Sequence, residues 1–353
     1  MWKYDEDPLD CRERCGEKTF ASGGRIELLQ PFSGEDKHVT PAGPDTESLD
    51  VFAGDLSKLV QEAFAGYGAI AQVPVWARPD SSLTGHFSDG GDDEVEVSCS
   101  LEKNQFILSR GDEGRRVQLK RPAFCPIKHL SVTEAAAIPL DVQQRGVDVG
   151  VAILLQSANQ RVLLTRRAKE LRIFPNVWVP PGGHVESDET LLEAGLRELK
   201  EETGLKLEPD EVSPKILGLW ESVYPAMLSR GLPQRHHIVV YMLLHSSLSH
   251  LQLQASLSPS PAEVSGCLWA DRRLVGAVVA AADGDDAEVQ LDDLPNDVSV
   301  SQVSSDGALS DSSLPLAVFI SRVPTSGPDV ERVSTGTKFA LELWLRSLET
   351  PDL

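Results

Sequence analysis

The chain has 353 residues, with 54 Asp and Glu against 33 Lys and Arg for a formal charge of −21. Phosphate backbones are gripped by Lys and Arg, so this balance argues against a broad hold on duplex nucleic acid. No run of about 20 apolar residues exists to cross a membrane, and Met1 to Asp10 lacks the basic and apolar regions of a leader.

Cys11, Cys15, Cys99, Cys125 and Cys267 show no zinc-site spacing and read as reduced thiols. An intracellular, soluble protein of the cytoplasm or nucleus is the resulting expectation.

Residues 1–48, rich in Gly, Asp, Glu and Pro, read as a flexible segment. A small N-terminal module is expected over 49–140. It would hold a helix with Leu56, Leu59, Val60 and Phe64 on one side, and strands at Val95–Leu101, Asn104–Ser109 and Arg116–Leu119, the last two joined by a turn at 110–114. No phosphate loop, paired histidine or nucleophile motif occurs there, so a scaffold or lid is expected.

The segment 145–275 is the most patterned. Val149–Leu155 and Val162–Arg166 are apolar, β-rich runs that predict a hairpin across the turn at 157–160. Val177–Val179 is a short strand, and Pro180, Pro181, Gly182 and Gly183 turn the chain toward a helix from about Glu189 to Thr203. Ser187 or Asp188 would cap that helix and Gly204 would end it. Leu192, Leu196 and Leu199, broadened by Leu191 and Ala194, form its apolar stripe.

Glu198, Glu201 and Glu202 stand at i, i+3 and i+4, so their carboxylates project from one face. Such hard oxygen donors suit Mg2+ or Mn2+. A solvated acidic face is the alternative for any one of them, but it explains neither the glycines ahead of Glu189 nor Arg197 within the acid run.

Strands follow at Ile216–Trp220, Ile238–His245 and Gly266–Trp269, and Arg272–Ala282 is helical. The span 276–313, dominated from Asp283 to Asp311 by Asp, Ser and Gly without Lys or Arg, predicts a disordered acidic insertion. Residues 314–350 would close the domain with a strand near Pro315–Ile320 and a helix carrying Leu341, Trp344, Leu345 and Leu348. This order indicates the α/β class, as an α/β/α sandwich around a mixed central sheet.

Gly183 to Leu205, GHVESDETLLEAGLRELKEETGL, follow the pattern Gly, five residues, Glu, seven residues, Arg-Glu-apolar-any-Glu-Glu-any-Gly-apolar. On the motif residues Gly183, Glu189, Arg197, Glu198, Glu201, Glu202 and Gly204, the segment 145–275 is identified as a member of the Nudix hydrolase superfamily. Its members cleave a diphosphate that links a nucleoside to another group. The resemblance implies Glu198 and Glu202 as central metal ligands, Glu201 assisting, the Gly182 carbonyl as a further ligand, and Arg197 orienting Glu189. It also implies attack of water on phosphorus, with Glu198 or Glu263 taking the proton; for Glu263 a plain surface acid is the alternative.

Substrate choice lies outside the motif. Residues 163–183, LLTRRAKELRIFPNVWVPPGG, come near the pattern of coenzyme A diphosphatases but depart from it at Asn176 and Pro180. Arg167 and Arg172 are candidate phosphate ligands, or else solvated loop cations. Tyr224 lies close to the spacing of a tyrosine used by dinucleoside polyphosphate hydrolases.

The phrases VWVPPGGHVE and LLEAGLRELKEETGL are similar to vertebrate family members that hydrolyse the methylguanosine cap of mRNA and release methylguanosine diphosphate. A cationic base would stack on Trp178, Trp220 or Tyr224, each of which otherwise belongs to core or groove wall. The implied partner is a nucleotide-type diphosphate, in this case a capped RNA 5′ end. Coenzyme A or a dinucleoside polyphosphate is the alternative substrate. A non-catalytic binding module is the second alternative, set against it by the complete set of acids. Protein partners are not legible.

Overall fold

A computed structural model describes residues 25–29 (backbone only), 82–88, 92–102, 104–110, 116–281, 283, 294–327 and 330–349. The central strand β5 (Asp148–Gln156) is buried at eight of its nine positions, the composition of a strand covered on both faces. The sheet extends from it both ways. On one side lie β10 (Arg235–His245), β9 (Ser213–Tyr224), β4 (Arg116–Lys120), β2 (Glu94–Glu102), β3 (Gln105–Ser109) and β1 (Arg25–Leu29). On the other lie β6 (Val162–Arg167), β11 (Val264–Ala270), β12 (Asp297–Val303) and β13 (Leu309–Pro315). The sheet is mixed: β10 runs parallel to β5, and β9 antiparallel to β10.

Two cores cover its faces, as expected for an α/β/α sandwich. Val149, Val151, Ile153 and Leu155 share one with Ala194 and Leu199 of a helix at Leu191–Thr203. The opposite face joins Ala152 and Leu154 to Leu274 and Val278 of the helix Arg272–Ala280, and to Phe339 and Trp344 of the helix Thr335–Glu349.

The β5–β6 hairpin stays zipped only at its turn, where Gln156 pairs with Val162. Its open end is wedged by β7 (Val177–Val179), paired to β6, and β8 (Gly182–His184), paired to β5. Ile153 N–H donates to the Pro181 carbonyl at 2.7 Å. A Cβ at Gly182 would stand 2.2 Å from the Val151 carbonyl oxygen, so only glycine lets this turn lie so close to β5.

Several expectations need correction. No separate N-terminal module forms from the described residues before 140: β4 pairs with β9, and Val97, Phe106, Leu108, Val117 and Leu119 share the core of β5. The strands at 105–109 and 116–120 do not pair with each other but flank β2 on either side. A buried carboxylate ties this region down, since Glu221 on β9 accepts from the Leu83 and Thr84 N–H groups, the Thr84 hydroxyl and His236. The expected flexible segment 1–48, apart from β1, and the expected helix carrying Leu56, Leu59, Val60 and Phe64 lie outside the described residues.

The span 276–313 is not a disordered insertion where it is described. It contains the end of the helix Arg272–Ala280 and the hairpin β12–β13, with seven paired positions. The reason is period-two patterning in DVSVSQV: Val298 and Val300 reach the core between polar neighbours, a signal swamped by acidic composition. Pro315 ends β13, and Leu316–Phe319 is a helical turn rather than a strand. Among the described residues no helix is long and apolar enough to cross a membrane.

Trp344 has no exposed surface, and its Nε1 donates to Gln156 Oε1 at 2.6 Å. Trp344→Ala should therefore cost about 3–5 kcal/mol by cavity formation, read as a lowered denaturation midpoint at unchanged m.

Candidate active site

The helix at Leu191–Thr203 begins two residues later than its sequence suggests. Thr190 is its N-cap, in a reciprocal capping box with Glu193. Asp188, an expected cap, instead adopts φ 64° in the preceding loop. There Asn104, in the β2–β3 turn, accepts from the Asp188 N–H at 2.7 Å and donates to its carboxylate at 3.1 Å. Gly204 closes the helix at φ 74°, as its position predicted.

Burial runs along Leu191, Ala194, Gly195, Glu198, Leu199 and Glu202. Gly195 lets the helix approach β5, since a Cβ there would lie 2.4 Å from Ile153 Cδ1. Two of the three glutamates are therefore pressed toward the sheet: Glu198 and Glu202 are each 2% exposed. Glu201 stays at the rim, its side chain 35% exposed. The i, i+3, i+4 spacing thus separates one acid from the other two.

Arg197 organises the cluster. Its guanidinium donates to both Glu189 oxygens at 2.7 and 3.0 Å, to Glu198 Oε1 at 2.7 Å and to the His184 carbonyl at 2.9 Å, with Glu201 at 3.7 Å. These bonds, Glu189's first, hold the Arg197 charge firmly in place.

Glu202 accepts from the Gly182 N–H at 3.3 Å and from the Thr165 hydroxyl at 3.4 Å. Burial, reinforced by Glu198, pushes its carboxyl up from 4.5 to about 7. Two buried, hard-oxygen donors one helical turn apart, one of them kept from ionising by its burial, fit a small divalent cation.

Beside this cluster a cleft is lined by Gly182, Gly183, the aromatic residues Phe124, Phe174, Trp220 and Tyr241, and the arginines Arg167 and Arg332. Arg167 is 4% exposed and donates to the carbonyls of Ile173 and Phe174 at 2.7 to 3.1 Å, shaping the loop that leads to β7. Burial lowers its pKa, opposed by the charges of Glu202 and Glu263. Glu263 is thereby within electrostatic reach of the site; its carbonyl accepts from Ala168 N–H at 2.9 Å.

The expected substrate residues do not all meet here. Trp178 is fully buried, donates from Nε1 to Glu331 at 3.1 Å and packs on Phe319. It cannot stack a ligand, because β7 points it into the core beneath the helical turn 316–319. Trp220 is 6% exposed and reaches the cleft wall with its other face toward Phe339. Tyr224 packs edge-on against Phe174, and its hydroxyl donates to the Arg172 carbonyl at 3.3 Å. The Arg172 side chain is exposed.

Arg166 is engaged by Glu331 and Ser265, and Lys169 by Glu170.

Phe174, Tyr241 and Arg332 had no counterpart in the sequence reading. Phe174 holds φ 50°, an uncommon state for a bulky residue, visible only in three dimensions. Arg332 arrives from a late strand, β14 (Arg332–Val333), parallel to β7.

Residues 145–289 match the family model of the NUDIX domain. The chain is 62% identical to the m7GpppN-mRNA hydrolase NUDT17 of Danio rerio over 78% of its own length and 93% of the relative's. It is 47% identical to the protein of the same name from Homo sapiens, over 71% and 78% respectively. Among solved structures, a MutT NUDIX hydrolase from Burkholderia pseudomallei aligns at 19% identity and a TM-score of 0.30, over 56% of this chain and 96% of that one.

Arg197→Lys keeps the charge but loses the fork that binds Glu189 and Glu198 together. A loss of roughly 1.5–3 kcal/mol in unfolding free energy is expected from the charged hydrogen bonds removed, checked by urea denaturation.

With divalent cations chelated, Glu202 keeps its proton in the folded state at pH values where the unfolded chain has released it. Its contribution therefore turns against the fold as pH rises from about 4.5 to about 7. Glu202→Gln should flatten that part of the melting-temperature profile, and an unchanged slope would remove the assignment.

Proposed function

This chain belongs to the Nudix hydrolase family, and from that premise we propose that it hydrolyses the 5′ methylguanosine cap of mRNA, releasing methylguanosine diphosphate. The observation carrying the proposal is the aromatic and arginine-lined cleft that shares Gly182 with the acid cluster, the Gly182 N–H donating to Glu202 at 3.3 Å. Relatives that this chain covers almost end to end bear the name m7GpppN-mRNA hydrolase. A methylated guanine is cationic and flat, matched by an electron-rich aromatic wall. Phe174 and Trp220 supply that wall, with Tyr224 buttressing Phe174.

Nudix hydrolases use divalent cations; here Mg2+ or Mn2+, held by Glu198 and Glu202 with Glu201 and the Gly182 carbonyl, would offset charge on the phosphoanhydride and acidify the attacking water. Arg332 lines the cleft and offers phosphate oxygens a guanidinium donor, while Arg167 holds the loop that forms the cleft wall. Arg197, bound to Glu189 and Glu198, positions the acids and does not touch substrate.

Proton acceptance falls to Glu263 rather than Glu198. Glu198 is committed to Arg197 at 2.7 Å, whereas Glu263 stands on a separate loop just before β11, near enough for its charge to act on Arg167. The coenzyme A pattern is further weakened because Arg167, one of its two retained arginines, is spent largely on the carbonyls of its own loop.

Purified protein with Mn2+ should release methylguanosine diphosphate from capped RNA faster than it cleaves coenzyme A or dinucleoside polyphosphates. Preference for either of those substrates would reject the cap reading. Glu198→Gln should lower kcat by about 100-fold or more, as losing a stabilising charge in a dry site does. Loss of a stacking partner is worth about 1–3 kcal/mol, so Phe174→Ala should raise KM for capped RNA roughly tenfold with little change in kcat.

A further inference from the structure

A second cluster of ligand-type side chains lies outside the acids of the catalytic helix. Asp148 begins β5, His184 ends β8 and His237 lies near the start of β10. The pairing register brings them together: His237 is opposite Asp148, and His184 is opposite Gly150, two residues along β5 on the same face. Gly150 has no side chain, which leaves room above it for the His184 ring. One ligand atom from each of Asp148, His184 and His237 lies within 4.8 Å of the others.

The donor set is chemically unlike the catalytic one. Two imidazoles and a carboxylate suit a borderline ion, whereas the all-carboxylate cluster suits a hard one. Imidazole coordinates through a ring nitrogen in its neutral form. His237 is buried, while Asp148 and His184 are partly exposed and give an ion a way in. Arg235, 3.8 Å from Asp148 Oδ2, shares that carboxylate in the absence of an ion.

We propose that Asp148, His184 and His237 form a second metal site, distinct from the glutamates of the catalytic helix, that takes a transition-metal dication of the Zn2+ type. Metal–ligand bonds of about 2.0–2.2 Å put tetrahedral ligand atoms roughly 3.4 Å apart. The three side chains therefore close inward by about an ångström, and Arg235 yields its share of Asp148. A fourth position stays open to water.

The site clamps β8 to β5 and β10, and the backbone of His184 is the one that Arg197 grips. It also continues the cleft floor, because Val239 and Ala152 line the cleft two and four residues beyond His237 and Asp148 on the same face. Metal here would stiffen the strand that delivers the glycine turn to the catalytic helix. This holds independently of which phosphoanhydride is cleaved.

The test titrates metal-stripped, full-length protein with Co2+ in a large excess of Mg2+, which occupies carboxylate sites. Visible d–d absorption of a four- or five-coordinate nitrogen and oxygen site should saturate at one equivalent of Co2+ and be displaced by Zn2+. It should vanish in His237→Asn and Asp148→Asn and persist in the doubly substituted Glu198→Gln, Glu202→Gln protein. In parallel, Zn2+ should raise the melting temperature of the unsubstituted protein by several degrees in the same excess of Mg2+.

Asp148→Asn, a near-isosteric change at a partly exposed position, serves if the histidine variant does not fold, with circular dichroism as the check. Absence of the band in unsubstituted protein would overturn the site. So would a band that survives Asp148→Asn, or one that disappears with the two glutamines.

Discussion

Everything in the catalytic half of the molecule depends on burying two carboxylates on one helix face and keeping them there. Two like charges about 5 Å apart at an effective dielectric near 20 repel by roughly 3 kcal/mol, a large share of the net stability of a domain. Arg197 answers that cost. Its fork takes both oxygens of Glu189 and one of Glu198, and a third arm reaches the His184 carbonyl, so helix, preceding loop and strand share one cation. Glu202 lies beyond its hydrogen-bonding reach, and its raised pKa marks where further positive charge is wanted.

The sheet supplies the rigidity that this arrangement needs. The splayed β5–β6 hairpin admits β7 and β8 as a wedge, and the glycine turn between them lies against Val151 at a distance no side chain allows. Strands from the N-terminal region extend the same sheet and core. They also reach the site itself, since Asn104 holds Asp188 in the loop before the catalytic helix. At the far side, the helix Thr335–Glu349 presses on the cleft floor: a Cβ at Gly336 would come 2.6 Å from the Tyr241 hydroxyl and 2.9 Å from Trp220. Residues distant in sequence thus shape both walls of one cleft.

Legibility in the sequence followed the range of the interaction. The catalytic helix, its glycine stop and the spacing of its acids are local, within a few turns, and 183–205 carried them plainly. The cap at Thr190 was missed because Ser187 and Asp188 have equal local claims, and only the contact with Asn104 removes Asp188 from the competition. The hairpin at 297–315 was missed because its two buried valines are few among acids and serines, so composition outweighed periodicity.

By itself the sequence determined the α/β class and the placing of Glu198, Glu201 and Glu202 along one side of a helix, a consequence of short spacings; the choice of Glu198 and Glu202 as a pair and the partnership of Arg197 with Glu189 came from the resemblance of the 183–205 motif to its family. Only the tertiary structure decided which aromatic side chains face a ligand. Trp178 and Phe174 stand four residues apart in one loop and strand, yet the strand turns the first into the core while a left-handed residue turns the second into the cleft. The same holds for Arg332 and for the meeting of Asp148, His184 and His237. Strand register sets those juxtapositions, and register is fixed by the burial of whole faces rather than by any local run of residues.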